Sequence, residues 1–204
     1  PGVTRKEIKK IGEICSEAVG KMKYEGAGTI EFLYENNEFF FIEMNTRLQV
    51  EHPITEAVFG IDLVKEQISV AYGMGMSLSQ EHLEPKGHAI ECRINAERLP
   101  NFSPSPGNIK EFHSPGGIGI RMDSAIYNGF RVPPYYDSLI GKLIVHADSR
   151  SMALGRLSRA LDELIIDGVY TTVDLFKDIL DQSDFRNGDY NIHWLEQWLS
   201  DQVQ

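Results

Sequence analysis

Apolar residues recur at helical spacing near the start of the chain. Ile8, Ile11, Cys15, Ala18, Val19 and Met22 form one stripe behind Thr4-Arg5-Lys6-Glu7, which has the residue types of a capping box. The pattern predicts an amphipathic helix running toward Gly26 with Cys15 on its buried face. The period then shortens to two. Thr29 to Glu35 and Phe39 to Asn45 read as strands around Asn36-Asn37-Glu38, a hairpin signal. The alternation continues through Glu43, Asn45, Arg47, Gln49 and Glu51 on one parity, with Met44, Thr46, Leu48 and Val50 on the other. One extended strand lining a wall with polar groups is therefore expected as far as Glu51. Pro53 and Asp62 open two helical stretches, the second passing through Leu63, Val64, Gln67, Ile68 and Ala71 to Gly73.

From His88 to His146 the texture changes. Short alternating runs (His88 to Asn95, Ile109 to His113, Ile118 to Asp123, Leu139 to His146) are separated by Pro and Gly clusters, which predicts an antiparallel sheet. Ser149 caps a predicted helix carrying Met152, Leu154, Leu157, Leu161 and Leu164, and Thr172 starts another with Leu175, Phe176, Ile179 and Leu180. A short helix with Trp194, Leu195 and Trp198 closes the chain, the two tryptophans reading as packing anchors. No repeat or clean linker interrupts these elements. The fold class is α+β, in two stretches, 1–84 and 85–204, sharing one core.

Composition narrows the functions open to such a chain. Its 204 residues suffice for a sizeable core, and 42% hydrophobic with 25% charged residues is ordinary for a globular domain, with no apolar run of membrane-spanning length. A formal charge of −10 argues against a nucleic-acid footprint and leaves any phosphate ligand in need of a metal or local arginines. Cys15 and Cys92 lack disulfide or zinc spacing, which fits a reducing cytoplasm. His52, His82, His88, His113 and His146 show no metal-ligand spacing. The opening Pro1-Gly2-Val3, without an initiator Met or signal pattern, leads us to expect a piece of a longer protein.

The run Glu43-Met-Asn-Thr-Arg-Leu-Gln-Val-Glu-His-Pro53 resembles the signature of the biotin carboxylases, members of the ATP-grasp superfamily. The resemblance extends to Glu91-Cys-Arg-Ile-Asn-Ala-Glu97, to Val132-Pro-Pro-Tyr-Tyr-Asp-Ser138 and to Leu164-Ile-Ile-Asp-Gly-Val169. It implies the C-terminal half of an ATP-grasp domain followed by the C-terminal domain of a biotin carboxylase. The implied reaction uses ATP and bicarbonate, through carboxyphosphate, to carboxylate the biotin of a carrier protein.

The residues bear this chemistry. Glu31 and Glu43, one on each hairpin strand, repel unless a cation lies between them, and hard oxygen ligands with few protein partners suit Mg²⁺ or Mn²⁺. Asn45 adds a neutral oxygen, and the resemblance implies two such ions held on the ATP phosphates. The two carboxylates share a face if the hairpin loop has an odd number of residues, most simply Asn36-Asn37-Glu38, or if a bulge corrects a two-residue turn. The Arg47 fork matches a planar carbonate, Gln49 and the Val50 N–H complete an anion cradle, and Glu51 is placed to take the bicarbonate proton. An ion pair between Arg47 and Glu51 is the alternative reading. Glu91 and Arg93 share a strand face, and the resemblance implies that Arg93 stabilises the enolate-like oxygen of biotin. It also implies that Leu33 and Ile192 sandwich the adenine, that His193 reaches the nucleotide, and that Arg121 lies at a homodimer interface where Ile118 replaces the expected aromatic.

Ending at Gln204 without an Ala-Met-Lys-Met sequence, the chain is expected to come from the separate biotin carboxylase component of a bacterial-type acetyl-CoA carboxylase, partnered by a biotin carboxyl carrier protein and carboxyltransferase subunits in fatty acid synthesis. Pyruvate and propionyl-CoA carboxylases are alternatives within the family. Outside it stand a non-catalytic folded or dimerising fragment, and an ATP-grasp ligase of another substrate, which would share only Glu31, Glu43 and Asn45. The chain has no Gly-rich phosphate loop or lysine-bearing lid strand, so alone it is expected to be inactive.

Overall fold

The computed structural model describes residues 3–202; Pro1, Gly2, Val203 and Gln204 lie outside them. Helix α1 (Arg5–Lys21) starts where the capping box predicts. Thr4 Oγ1 accepts from the Glu7 N–H at 3.3 Å, and Glu7 Oε2 accepts from the Thr4 N–H at 2.8 Å. Cys15 is half-buried rather than enclosed, in a wall of the cavity of about 470 Å³ between α1 and the following hairpin. Burial nonetheless pushes its thiol above the ordinary range.

Strands β1 (Thr29–Glu35) and β2 (Glu38–Asn45) form that hairpin. The loop differs from the three-residue expectation. Glu35 pairs with Glu38 across a two-residue Asn36-Asn37 turn, both with positive φ (51° and 63°), the conformation whose twist matches paired strands. The parity is restored farther down. Phe32 pairs with Phe41 but Glu31 pairs with Glu43, so Ile42 is the extra residue of a β-bulge. Phe32 packs edge-on against Phe39 and Phe41 at 5.9 and 6.2 Å, and Ile30, Phe32 and Met44 line the cavity beside α1.

The extended run to Glu51 does not form. β2 stops at Asn45, residues 46–51 bend, and α2 (His52–Phe59) begins with Pro53 in its first turn. Pro53 favours a helix N-terminus over continued extension. α2 ends at Gly60, left-handed at φ 68°, and α3 (Leu63–Ala71) is capped by Asp62. Buried Glu56 accepts from the Leu63 N–H at 2.9 Å and ties the two helices.

Two compact units divide between Pro85 and Lys86. In the second, the strands are β3 (His88–Asn95), β4 (Glu97–Arg98), β5 (Ser103–Pro104), β6 (Gly107–Asn108), β7 (Glu111–His113), β8 (Ile120–Ser124), β9 (Arg131–Val132) and β10 (Leu139–Ala147). Then come α4 (Arg150–Glu163), β11 (Ile165–Asp167), α5 (Val173–Asp181), α6 (Ser183–Asn187) and α7 (Trp194–Gln202). The expected single sheet is smaller: β10 is central to a three-stranded antiparallel sheet, β3-β10-β8, while β7 pairs with β11 outside it. Every member of the hydrophobic core cluster lies in this unit. Cys92, Ile94, Leu143 and Val145 from the sheet meet Ala153, Leu154, Leu157 and Leu161 from α4. Of the stripe its sequence predicts, Leu154, Leu157, Leu161 and Leu164 are buried, whereas Met152 is 52% exposed and Ala153 takes the inward position.

Thr172 has a role that its reading as a helix start does not contain. Its backbone N–H donates to the Asn95 carbonyl at 3.1 Å, its Oγ1 accepts from the Asn95 N–H at 3.0 Å, and its hydroxyl donates to the Arg93 carbonyl at 3.2 Å. The start of α5 thus completes the edge of β3 that β10 leaves unpaired, and Thr172 is 4% exposed. Thr172→Val keeps the shape and removes the hydroxyl. It is expected to cost about 1–3 kcal/mol by leaving buried backbone groups unsatisfied. Urea unfolding should show a lower midpoint with unchanged m; equal stability of the variant would refute the assignment.

Candidate functional site

In the first unit the bulge at Ile42 sets Glu43 directly opposite Glu31. Like charges in that position are destabilising unless something neutral or positive joins them. Asn45 does so: its Nδ2 donates to Glu31 Oε1 at 2.8 Å and to Glu43 Oε1 at 3.0 Å. Gln49 Nε2 donates to the same Glu31 oxygen. The bend after Asn45 therefore does what a longer strand would not, folding residue 49 back onto residue 31. Arg47 Nη2 lies 3.4 Å from Asn45 Oδ1, while its Nη1 donates to the Leu48 carbonyl at 3.1 Å. The guanidinium is thereby held beside the carboxylates.

Glu51 occupies the N-cap position of α2 without using its side chain to cap the helix. Its carbonyl accepts from the Ile54 N–H at 3.0 Å, and Gln49 O accepts from the His52 N–H at 3.3 Å with His52 Nδ1 2.7 Å away. Val50 lies in the turn between them. Positive potential at a helix N-terminus suits an anion. Of the sequence-derived residues, Glu31, Glu43, Asn45, Arg47 and Gln49 thus form one hydrogen-bonded group, with Val50 and Glu51 next along the chain.

The donor set fits a hard divalent cation with few protein ligands. Glu31 and Glu43 are bridged by Asn45, whose oxygen lies 3.4 Å from Arg47 Nη2. Among the described residues no group of three or more His, Cys, Asp and Glu is placed to hold a metal ion, so a cation here draws on the Glu31–Glu43 pair and on Asn45 and keeps other positions for water or phosphate. Asn45 turns its NH₂ toward both carboxylates and its oxygen toward Arg47; as a metal ligand it would present the oxygen instead. Leu33, two residues along β1 from Glu31, is 45% exposed, more than a core leucine.

In the second unit Arg93 is exposed between Cys92 and Ile94, which are 4% and 0% exposed in the core. The alternation of β3 makes one face the anchor and leaves Arg93 on the other. Burial, with the Glu91 charge second, pushes the Cys92 thiol up to about 12, so it stays protonated and inert beside the arginine. Thr172 fixes the backbone on which Arg93 stands. Asn95 Nδ2 donates to Glu97 Oε1 at 3.2 Å, and the Ser138 hydroxyl donates to that same oxygen, so the Glu91-to-Glu97 and Val132-to-Ser138 segments meet. Ile192 is 78% exposed and His193 is exposed, at the C-terminal end of this unit.

Sequence reasoning missed two contributors. Neither Ile42 nor Thr172 bears chemistry of its own; Ile42 acts through register and Thr172 through a strand edge. The signal for the bulge is the conflict between an Asn-Asn turn and two carboxylates that need one face.

Comparison with known proteins covers both units. Residues 91–197 match the biotin carboxylase C-terminal domain, and residues 1–80 match the ATP binding domain of the carbamoyl-phosphate synthase L chain. The biotin carboxylase of Haemophilus influenzae is 53% identical over 199 residues, covering 98% of this chain and 44% of that protein. A pyruvate carboxylase component of Methanothermobacter thermautotrophicus is 49% identical, covering 97% and 40%. The biotin carboxylase domain dimer of Hydrogenobacter thermophilus 2-oxoglutarate carboxylase, solved with MgADP, ADP and bicarbonate, superposes with a TM-score of 0.93 at 43% identity, over 96% of this chain and 44% of that one. The chain thus spans less than half the length of these relatives. The α+β expectation holds in that likeness. Because the match includes the C-terminal domain as well as the ATP-binding module shared with other ligases, the chain belongs to the biotin carboxylase family.

Proposed function

We propose that this chain is the C-terminal part of an ATP-dependent biotin carboxylase, which carboxylates the biotin of a carrier protein with bicarbonate. One observation carries the reading most directly: Gln49 and Asn45 both donate to Glu31, joining the candidate cation carboxylates to the candidate anion cradle. A phosphoryl group and a bicarbonate that must react with each other need such adjacency.

In this reading Glu31, Glu43 and Asn45 hold Mg²⁺ or Mn²⁺, two ions in all, which neutralise phosphate charge when bound. Arg47 holds the planar bicarbonate by its fork, assisted by Gln49 and the Val50 N–H, and Glu51 removes its proton. A bicarbonate oxygen then takes the γ-phosphoryl group of ATP with ADP leaving. The carboxyphosphate so formed splits into CO₂ and a phosphate that accepts the biotin N–H proton, freeing that nitrogen to bond the CO₂ carbon. Arg93, permanently charged, stabilises the oxyanion that develops on the biotin ring. Leu33, Ile192 and His193 contact the nucleotide. The MgADP and bicarbonate in the Hydrogenobacter domain support this ligand set.

The proposal extends to a homodimer involving Arg121, whose guanidinium holds Asp123 at 2.7 Å three residues on from Ile118, which is 89% exposed. It places the protein in the cytoplasm. No helix of the described residues is long and apolar enough to cross a membrane. The parent enzyme is taken as an acetyl-CoA carboxylase of bacterial type, acting with a biotin carboxyl carrier protein and carboxyltransferase subunits in fatty acid synthesis. The 49% identity with the Methanothermobacter pyruvate carboxylase component supports that class as the second reading.

In the full-length carboxylase, Glu51→Gln is expected to lower kcat by about 10²- to 10⁴-fold with nucleotide binding unchanged. Arg47→Ala should raise the bicarbonate KM, and Arg93→Ala should impair carboxyl transfer while sparing part of the biotin-independent ATPase. Steady-state kinetics decide this: full kcat in Glu51→Gln, or equal loss of both activities in Arg93→Ala, would place the roles on the wrong residues.

The 204-residue chain alone, lacking a phosphate loop and lid lysine, is expected to show no bicarbonate-dependent ATP hydrolysis. Biotin-stimulated phosphate release from the purified chain would contradict that.

A further inference from the structure

Arg150, the first residue of α4, divides its guanidinium among three separate acceptors. Its Nε donates to the Arg186 carbonyl at 3.3 Å, one Nη donates to the Phe185 carbonyl, and the other meets His88 Nε2 at 3.3 Å. The same group lies over the Phe185 ring, 5.2 Å from its centroid. Phe185 and Arg186 belong to α6, whose C-terminal end favours a cation; the Phe185 carbonyl also accepts from the Gly188 N–H at 3.3 Å, so the guanidinium is its second donor. Burial first, and the Arg150 charge second, hold His88 below the ordinary histidine range, so its ring is a neutral acceptor at neutral pH.

What α6 holds in turn is the end of the chain. The Phe185 ring stacks on Tyr190 at 5.6 Å and on Trp194 at 6.4 Å, and Trp194 Nε1 donates to Asp184 Oδ2 at 3.2 Å. Left-handed Gly188, at φ 81°, turns the chain back between the two stacked rings. Asn191 Oδ1 then accepts from the His193 N–H at 2.9 Å. Residues 190–193 are therefore pinned at both ends to a five-residue helix that Arg150 fastens to β3 and α4.

We propose that Arg150 is a positioning residue for nucleotide binding: through Phe185 it sets residues 190–193, and with them Ile192 and His193. The inference rests on the reading that Ile192 and His193 contact the nucleotide. Arg150 touches no reacting atom. Its planar fork matters because a lysine in its place can hold the charge over Phe185 but cannot reach three acceptors lying in different directions.

The test combines a structural and a kinetic measurement. Both tryptophans of the chain, Trp194 and Trp198, lie on α7 and stack at 6.0 Å, so intrinsic fluorescence reports the segment directly. In the full-length carboxylase, Arg150→Met is expected to raise the ATP KM about tenfold, the equivalent of one charge-assisted hydrogen bond. The kcat at saturating ATP and the bicarbonate KM should stay within about twofold, a split that a general folding defect would not produce. Arg150→Lys should recover only part of the loss. In the 204-residue chain, Arg150→Met should shift tryptophan emission. Ile192→Ala separates the two claims. If it leaves the ATP KM unchanged, the nucleotide reading of this segment fails; if it raises the ATP KM while Arg150→Met does not, the positioning role is overturned. Should Arg150→Met not fold, Phe185→Leu removes the ring stack and keeps the carbonyls, and an unchanged ATP KM in that variant would overturn the proposal equally.

Discussion

The candidate site of the first unit depends on holding two carboxylates against each other. Glu31 and Glu43 are directly paired residues of adjacent strands, an arrangement that costs roughly 0.2–1 kcal/mol when left uncompensated. The backbone arranges it by a bulge and the side chains offset it with amide donors from Asn45 and Gln49. Bulges are common beside functional sites because a single extra residue re-aims the side chains on one side of it without moving those on the other. Here Phe39 keeps its packing against Phe32 while Glu43 turns to meet Glu31. A hydrogen-bonded pair of acids joined by a neutral amide remains short of positive charge, which is why the group suits a divalent cation.

The second unit solves the complementary problem, how to present a permanent cation rigidly. Arg93 stands between two buried residues of a strand whose partner, β10, forms the middle of the sheet. Its other edge is completed by Thr172 rather than by a fourth strand. A short hydrogen-bonding side chain at a helix start thus substitutes for strand pairing where only two residues need support. Arg150 acts in a related way, one guanidinium closing the carbonyl end of α6 and gripping its phenylalanine.

The two units also differ in how they bury apolar surface. The second has a close-packed cluster in which Ile94, Leu143, Leu161 and Val145 are at 0% exposure. In the first, α1 contributes no buried residue, and Phe40, Phe41 and Ile42 remain 47%, 65% and 57% exposed on β2. A two-stranded hairpin has little surface with which to enclose such side chains.

Local chemistry is legible in the sequence wherever one segment can satisfy itself. The capping box of α1, the Asp62 and Ser149 caps, Leu154, Leu157 and Leu161 of the α4 stripe and the alternation of β3 follow from residue types at fixed spacing and appear, while Met152 of that stripe faces out. The motif residues Glu31, Glu43, Asn45, Arg47 and Gln49 are equally legible as chemistry, because their types and spacing already specify acids, amides and a cation. Their geometry is not. Period-two spacing from residue 43 to residue 51 reads as one strand, but Pro53 and the helix it starts end the extension, and the group is assembled by a bend instead. The β7–β11 pairing and the Thr172 bridge each join residues distant in sequence, and no local propensity encodes which strand edge a side chain will meet. Sequence determined which groups this protein has to work with; tertiary structure decided which of them touch, since register and edge pairing are settled only when the strands and helices pack.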